Sequence, residues 1–214
     1  MNPLKWILTV AAAAAMATSL HAADDTVRYV ARPGSTVTID GTSSIHDWTV
    51  EGKIIGGYLE VEKAFQSDLS LKSVKSLTAK NPNPKAVISI PLRSLKSGKD
   101  SMDRIMLEAM KADANPMLKY ELKEMVVKGD VPASGTPVKF DTKGDLSFSG
   151  ETKAIDMEVT MERKDDGLVV FKGEKELKMT DFGITPPSPK IPGLSMIKTG
   201  DEVMVKFEWV TKAR

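Results

Sequence analysis

Apolar and polar residues alternate with a period of two over long stretches of this sequence, and no other feature constrains the fold as strongly. The alternation is clearest in residues 138–148 and is repeated in residues 155–161. The apolar faces comprise Val138, Phe140, Leu146 and Phe148, and then Ile155, Met157, Val159 and Met161. Because successive side chains of a strand point to opposite faces, both segments are predicted to be half-buried strands of an antiparallel sheet.

The same pattern predicts further strands on both sides of this pair. They fall within residues 35–42, 45–55, 58–62, 86–92, 118–122, 168–179 and 202–212. Short turns at residues 149–152 and 165–167 connect strands of the C-terminal half, and Gly167 can supply the positive φ of a hairpin. The chain is therefore predicted to contain about eight or nine strands, most of them in one meander.

One helix is predicted to interrupt the meander. Asp100 is a candidate N-cap, and Asn115-Pro116 ends the helical segment. The apolar residues at helical spacing are Met102, Ile105, Met106, Ala109 and Met110. Residues 63–85 show no clear pattern beyond a turn at 81–84, and the prolines of residues 183–193 exclude a central strand there.

A long antiparallel meander must hide its outer edges, and closure into a barrel removes them. A barrel of about eight strands leaves an interior that side chains or one small ligand can fill. A two-sheet sandwich has the same alternation and stays open as an alternative. An outer-membrane barrel is disfavoured because aromatic residues are only 6% of the chain and several strands are short. We therefore predict an all-β fold with one or two short helices, built as an eight-stranded antiparallel β-barrel with its charged face outward.

Residues 1–22 are predicted to be a secretory signal peptide, and residues 23–214 a single barrel domain. Lys5 supplies the positive start, residues 6–17 are apolar, and small residues precede Ala22. The apolar run is too short for a transmembrane helix, which needs about 20 residues. We expect a periplasmic or secreted protein with no transmembrane segment in its mature part.

Charge and cysteine content argue against several function classes. The chain has 30 basic and 29 acidic residues, so that without Lys5 the mature part holds 29 of each. Nucleic-acid binding is not expected without a basic stripe. Because the chain has no cysteine, we expect neither disulfides nor thiolate metal sites nor a cysteine-linked lipid anchor.

The segment around His46 carries the residue types of a serine triad, but strand geometry opposes catalysis. Ser44 and His46 would face one way and Asp47 the other, whereas a triad needs its carboxylate to orient the imidazole. The only other histidine, His21, leaves with the signal peptide, and further metal ligands show no recognisable spacing. We predict neither an enzyme nor a metal site, and interpret His46 as a structural histidine or a contact to a ligand head group.

Four stretches, taken in order and spacing, give the chain a resemblance to a known family. They are residues 44–48 with Val50-Glu51-Gly52, residues 102–111 with Asn115-Pro116 and 118–122, residues 144–153, and residues 179–184 followed by 199–203. The third is Gly-Asp-Leu-Ser-Phe-Ser-Gly-Glu-Thr-Lys, and the fourth contains Asp-Phe-Gly-Ile. In these motifs the chain resembles the YceI-like family of exported, lipocalin-like, polyisoprenoid-binding barrels.

The resemblance implies an extended barrel with helical elements near one end and an interior channel for an isoprenoid tail, such as that of a quinone or polyprenyl lipid. We therefore expect a binding or carrier protein for a lipid-like small molecule, with no resident cofactor. The expected ligand contacts are Trp48, Met106, Met110, Phe140, Phe148, Met157, Val159, Phe171, Phe182, Val205 and Phe207, with His46 at the head group. The alternative is a barrel with a filled core whose loops bind a partner protein. A homodimer through an unclosed edge also stays open.

Overall fold

The computed structural model describes residues 25–78, 84–131, 136–189 and 197–214. The predicted signal peptide, residues 1–22, lies outside the described residues, as do parts of the turn at 81–84 and of the proline-rich loop. The strands are β1 (Thr26–Ala31), β2 (Thr36–Ser43), β3 (Trp48–Gly52), β4 (Gly56–Glu62), β5 (Lys85–Pro91), β6 (Met117–Val127), β7 (Val138–Phe148), β8 (Glu151–Arg163), β9 (Leu168–Lys178) and β10 (Thr199–Ala213). The α-helices are α1 (Ala64–Ser67) and α2 (Asp100–Ala109).

Eight of these strands form a closed antiparallel barrel, which confirms the predicted fold class. Their order around the barrel is β1-β4-β5-β6-β7-β8-β9-β10, and β10 pairs back onto β1. The closing pairs are Tyr29 with Ala213, Val30 with Lys212, and Ala31 with Thr211. At this seam the backbone groups of the first and last strands satisfy each other, so neither strand is left as an open edge.

The long strand β10 also carries the two strands that lie outside the closed ring. Beyond its pairing with β1, β10 continues along β2, from Glu208 opposite Thr36 to Thr199 opposite Ser43. β3 then pairs with β2. A bridge between Glu51 and Lys96 ties the segment after β5 to this extension. The barrel wall is therefore taller on this side, which elongates the interior.

The β7–β8 hairpin follows the clearest alternation in the sequence. Its register runs without interruption from Val138 opposite Met161 to Phe148 opposite Glu151. Ser149 and Gly150 form the turn with φ values of +57° and +90°, as a tight hairpin matched to strand twist requires. Gly167 in the next turn has a φ of +77°, as predicted.

β8 and β9 pair over only part of their length. Their register runs from Arg163 opposite Val169 to Val159 opposite Gly173. Beyond these pairs β8 continues along β7 as far as Glu151, and β9 continues along β10 as far as Lys178. The two strands therefore separate toward one end of the barrel, and we call this opening the β8–β9 gap.

The opposite end of the barrel is closed by the connection between β4 and β5. In α1, Phe65 is fully buried, and its ring meets that of Tyr29 edge-on at 5.4 Å between centroids. The Arg163 guanidinium lies 4.5 Å from the Phe65 ring centroid and donates to its carbonyl oxygen. Leu71, Val74 and Leu77 of the same connection are also buried. This end is a solid apolar plug that the sequence patterns did not predict.

The end with the gap carries α2, close to where the sequence placed a helix. The predicted N-cap was wrong by one residue: Asp100 is the first helical residue, and Lys99 takes the cap position without a side-chain hydrogen bond. The connection before the helix is held instead by Asp103, whose carboxylate accepts from the Ser97 amide (2.7 Å) and hydroxyl (2.6 Å). Because a carboxylate inside the first turn braces the incoming chain, no side-chain cap is needed.

The outward face of the barrel is charged, as the alternation predicted. Lys128 bridges Asp141 (3.1 Å) and Glu158 (2.9 Å), and Lys139 also reaches Glu158 (2.8 Å). Such exposed pairs contribute little to stability, but they fix which face is solvated. No helix among the described residues is long and apolar enough to span a membrane.

Candidate functional site: an apolar cavity in the open half of the barrel

A cavity of about 510 Å³ occupies the open half of the barrel, within the range of sites that hold a small ligand. Strands β2, β3 and β5 to β10 contribute to its wall, and α2 covers one side. The helix presents Met102, Ile105, Met106, Ala109 and Met110 to it, the same set that the helical spacing indicated. Flexible thioether side chains on this helix can adapt to ligands of different shape.

Most of the residues expected to contact a ligand line this cavity. They are Trp48, Met106, Met110, Phe148, Met157, Val205 and Phe207, together with His46. They come from five different elements and the loop before β3, and barrel closure brings them together. The contacts of these side chains with a ligand remain predictions, since the cavity shows only where the residues lie.

Four of the expected contacts lie outside the cavity lining. Phe140 and Val159 are buried opposite each other on β7 and β8, below the cavity toward the closed end. Phe171 is buried against the Trp209 ring, 5.7 Å between centroids. Phe182 is buried behind Phe148, with the two rings stacked at 4.1 Å. Phe140, Val159 and Phe171 share a strand face with cavity residues but sit at a different depth, and Phe182 lies in the short helical turn after β9.

Aromatic rings that line the cavity lie over glycines of the neighbouring strand. Phe207 covers Gly173, to which it is paired across β10 and β9. A β-carbon on Gly173 would come within 2.8 Å of the Phe207 ring. Trp48 covers Gly41 in the same manner, and the Tyr120 ring crosses Gly144. Because these glycines have no side chain, the rings lie flat against the wall and leave the interior open.

Two polar atoms of the lining have no hydrogen-bond partner among the described residues. They are the Tyr120 hydroxyl and the Trp209 indole nitrogen, on side chains that are 6% and 3% exposed. The nearby Thr142 hydroxyl donates instead to the main-chain oxygen of Met157 (3.0 Å). Burial raises the pKa of the Tyr120 phenol, so it stays a neutral donor. Unpaired buried groups are costly, and because both atoms are buried within the wall, a ligand reaches them only if these side chains move.

The charged residues of the lining were not predicted from the sequence. Lys99, Lys175 and Lys178 line the cavity, and no aspartate or glutamate of the described chain does. Lys175 lies on the inward face of β9, two residues from Gly173 and two from Leu177. The alternation would have revealed it, because a lysine there breaks an otherwise apolar or glycine face.

The residues of the suspected triad lie in the loop between β2 and β3, not on a strand as predicted. His46 Nδ1 is 2.7 Å from the main-chain oxygen of Asp47. The Ser44 hydroxyl accepts from the Lys198 amide at 3.1 Å. His46 thus contacts the main chain of Asp47, which gives no carboxylate-oriented imidazole. No cluster of three or more potential metal ligands occurs in residues 25–78, 84–131, 136–189 and 197–214.

Comparisons with known proteins agree with this geometry. A model of the YceI-like domain matches residues 29–211. Among solved structures, Burkholderia cenocepacia BcnA is 17% identical with a TM-score of 0.59, over 82% of this chain and 95% of that one. A polyisoprenoid binding domain from Saccharophagus degradans implicated in plant cell wall breakdown is 14% identical with a TM-score of 0.62, over 87% and 98%.

A third solved structure is the YCEI protein of Campylobacter jejuni. It is 16% identical with a TM-score of 0.52, over 77% of this chain and 84% of that one. No match was found among curated proteins. At these identities the structural similarity establishes the shared barrel fold, and not a shared ligand.

Proposed function

This chain belongs to the YceI-like family, and on that premise we propose that it is an exported binding or carrier protein for an isoprenoid or another lipid-like amphiphile. The observation that carries the proposal is the cavity of about 510 Å³ in the open half of the barrel. Its lining is almost wholly apolar, so it can shield a hydrocarbon chain from water. The polyisoprenoid binding domain from Saccharophagus degradans has the same fold and supports this class of ligand.

The division of the barrel into a solid half and a hollow half supports one orientation for the ligand. The plug around Phe65 closes one end, so an apolar tail would point toward Trp209 and Gly173. The polar end of the ligand would then lie near the open end, among the lysines and His46. This arrangement resembles other small barrels that hold one ligand at the mouth of the interior.

Export is the second part of the proposal and rests on residues 1–22. Their charged start, apolar run and small residues before Ala22 are typical of a secretory signal. An exported carrier would bind lipids in the space between the membranes, and not lipids in the cytosol. Periplasmic fractionation of the full-length chain, with detection of a product that starts near Ala23, tests this part separately.

The hollow interior also favours binding over the filled-core alternative. An interaction module with a solid barrel would place side chains where the cavity lies. The residues around His46 supply no catalytic geometry, so we propose a binding role and not a catalytic one.

Native mass spectrometry of the mature protein, purified from its own periplasm, tests the proposal. We expect a bound molecule of lipid mass at close to one per protein. In the variant Met106→Trp the indole fills the cavity from α2, and the bound mass should be lost. Glu108→Trp adds the same ring to the exposed face of the same helix and is the matched control. Protein that is always empty, with an interior that accepts no apolar probe, would refute the carrier.

A further inference from the structure

Lys175 is the least expected residue of the cavity wall. It lies on the inward face of β9, between Gly173 and Leu177, and it is half-buried. Its opposite residue on β10 is Val205, another lining residue. A lysine among apolar side chains loses hydration of its ammonium group, which is unfavourable unless an opposite charge compensates.

No such compensation is present within the described chain. Some lysines of the outer face, such as Lys172 with Glu208 at 3.1 Å, have carboxylate partners. Lys178 reaches Glu202 at 3.8 Å. Lys175 has neither an ion pair nor a hydrogen bond to another described residue. Because the described cavity lining contains lysines but no carboxylate, the interior itself offers no internal counter-ion.

Lys175 lies where the interior of the barrel opens to solvent. It lies beside the β8–β9 gap, where a second, shallower pocket opens between the separated strands. Ile155, Lys175, Leu177 and Lys178 line both this pocket and the main cavity. A ligand could therefore keep its tail in the apolar interior and its polar end in the gap, within reach of water.

We propose that Lys175 binds the anionic head group, a carboxylate or a phosphate, of a single-chain amphiphile whose tail occupies the cavity. This inference rests on the proposed function and makes it more specific, because a quinone or another neutral lipid would leave the lysine unpaired. A charge-assisted bond from the ammonium group would satisfy it and fix the ligand's orientation. Three acidic residues, Asp156, Glu176 and Asp181, line only the outer pocket, and their charge disfavours an anion there, so we place the head group beside Lys175 at the inner edge of the gap.

The test compares three ligands with the same C18 chain: oleic acid, oleyl phosphate and oleyl alcohol. Their affinities for delipidated mature protein are measured by calorimetry at pH 8, below the concentrations at which they form micelles. We expect the two anions to bind about tenfold or more tightly than the alcohol, as a bond to a charged group implies. If one of the two anions binds more tightly than the other, the head-group chemistry is identified. A preference for the carboxylate and a preference for the phosphate each support the proposal.

Substitutions of single lysines then show which residue produces the preference for anions. Lys175→Met should remove the preference for anions and leave the affinity for the alcohol unchanged, whereas Lys175→Arg should retain it. Lys172→Met, on the outer face of the same strand, should behave as the wild type does, and Lys99→Met tests whether the preference resides at another lysine of the lining instead. If Lys175 only extends through the gap to water along its aliphatic stem, Lys175→Met will not alter the ratio, and the proposal is wrong.

The remaining outcomes separate this inference from the proposed function. Equal binding of all three ligands to the wild type overturns the anion site but leaves a carrier of neutral lipids. Loss of the preference in Lys99→Met and not in Lys175→Met overturns the assigned position. Failure of all three ligands to bind overturns the proposed anion site, whereas the proposed function is decided separately by the bound mass in native mass spectrometry.

Discussion

The ring of Phe207 lies over Gly173, and this contact shows how a missing side chain keeps the interior open. A β-carbon at Gly173 would meet two ring atoms of Phe207 at 2.8 and 2.9 Å, and the carbonyl oxygen of Glu158 at 3.1 Å. The ring could yield only by turning into the cavity. The glycine is therefore a determinant of cavity volume, although it makes no polar contact itself.

Gly173→Ala should destabilise the protein by about 1–3 kcal/mol, the usual cost of overpacking, and should weaken binding of an apolar ligand. Urea unfolding and a fluorescent fatty-acid probe measure the two effects. The double variant Gly173→Ala/Phe207→Leu should recover most of the lost affinity, because the smaller side chain leaves room for the new methyl group. Additive effects of the two substitutions would contradict the proposed contact.

Gly56→Ala is the matched control for this substitution. Gly56 also lies in a strand, but a β-carbon there would meet its nearest atom, the Ser89 hydroxyl oxygen, at 3.3 Å. We expect this variant to change the free energy of unfolding by less than about 1 kcal/mol and the affinity not at all.

A buried carboxylate helps to attach helix α2 to the barrel. Asp103 is 6% exposed and accepts two hydrogen bonds from Ser97, with Lys96 3.5 Å away. The bonds from Ser97 hold the pKa of Asp103 below its ordinary value. The carboxylate thus joins the helix to the segment that bridges to β3 through Lys96.

Asp103→Asn should lower the free energy of unfolding by about 1–3 kcal/mol, because a buried charged acceptor is replaced by a weaker neutral one. Asp100→Asn, an exposed change in the same helical turn, should cost less than about 1 kcal/mol. Chemical unfolding of both variants measures the difference. Equal losses would mean that the helix dipole, and not the bonds to Ser97, accounts for the effect.

Several carboxylates of the barrel are stabilised in their charged form by neighbouring donors. Thr49 and Lys206 lower the pKa of Asp40, Ser70 and Ser73 lower that of Asp68 further, and Thr180 lowers that of Asp201. With Asp103, they tie loops and strand ends at both ends of the molecule. Their folded-state pKa values all lie below the ordinary aspartate value of about 3.9.

These lowered pKa values make the stability of the folded protein depend on pH in acid. In acid the unfolded chain takes up protons before the folded one does, so stability falls as the pH decreases. We expect the free energy of unfolding to be nearly constant between about pH 7 and 5 and to fall below about pH 4. Urea titrations across this range measure it, and a smaller acid loss in Asp103→Asn would assign part of the slope to this group. A loss that begins well above pH 5 would contradict the role of these carboxylates.

Ligand removal should lower the stability of the whole barrel, because an amphiphile in the cavity binds the folded state alone. At a free ligand concentration of about 100 times Kd the stabilisation is about 2.7 kcal/mol. For a domain of this size that corresponds to a rise in Tm of roughly 5–10 °C. Calorimetric scans of delipidated and reloaded protein test this, and Met106→Trp should show no ligand-dependent shift.

The local sequence pattern was sufficient to predict a strand or helix where the element's own residues show a regular period. The alternation in residues 138–148 and 155–161 predicted β7, β8 and their faces, and the helical spacing of Met102 to Met110 predicted α2. Less regular segments were harder. β1 was not predicted, and Ile54, which lies within the predicted strand segment 45–55, is 56% exposed because β3 ends at Gly52.

The depth of a residue along the barrel could not be obtained from alternation, because a period of two specifies the face and not the height. Phe140 and Phe148 share one face of β7, yet Phe140 is core and Phe148 lines the cavity. That difference arises from α1 and the plug at one end and from α2 at the other, which are distant in sequence from β7. The separation of β8 from β9 likewise depends on tertiary pairing, because β8 stays paired with β7 and β9 with β10 beyond the point where they part. The barrel with one apolar face followed from local chemistry, whereas the hollow half, the gap and the position of Lys175 beside it required the packing of distant elements.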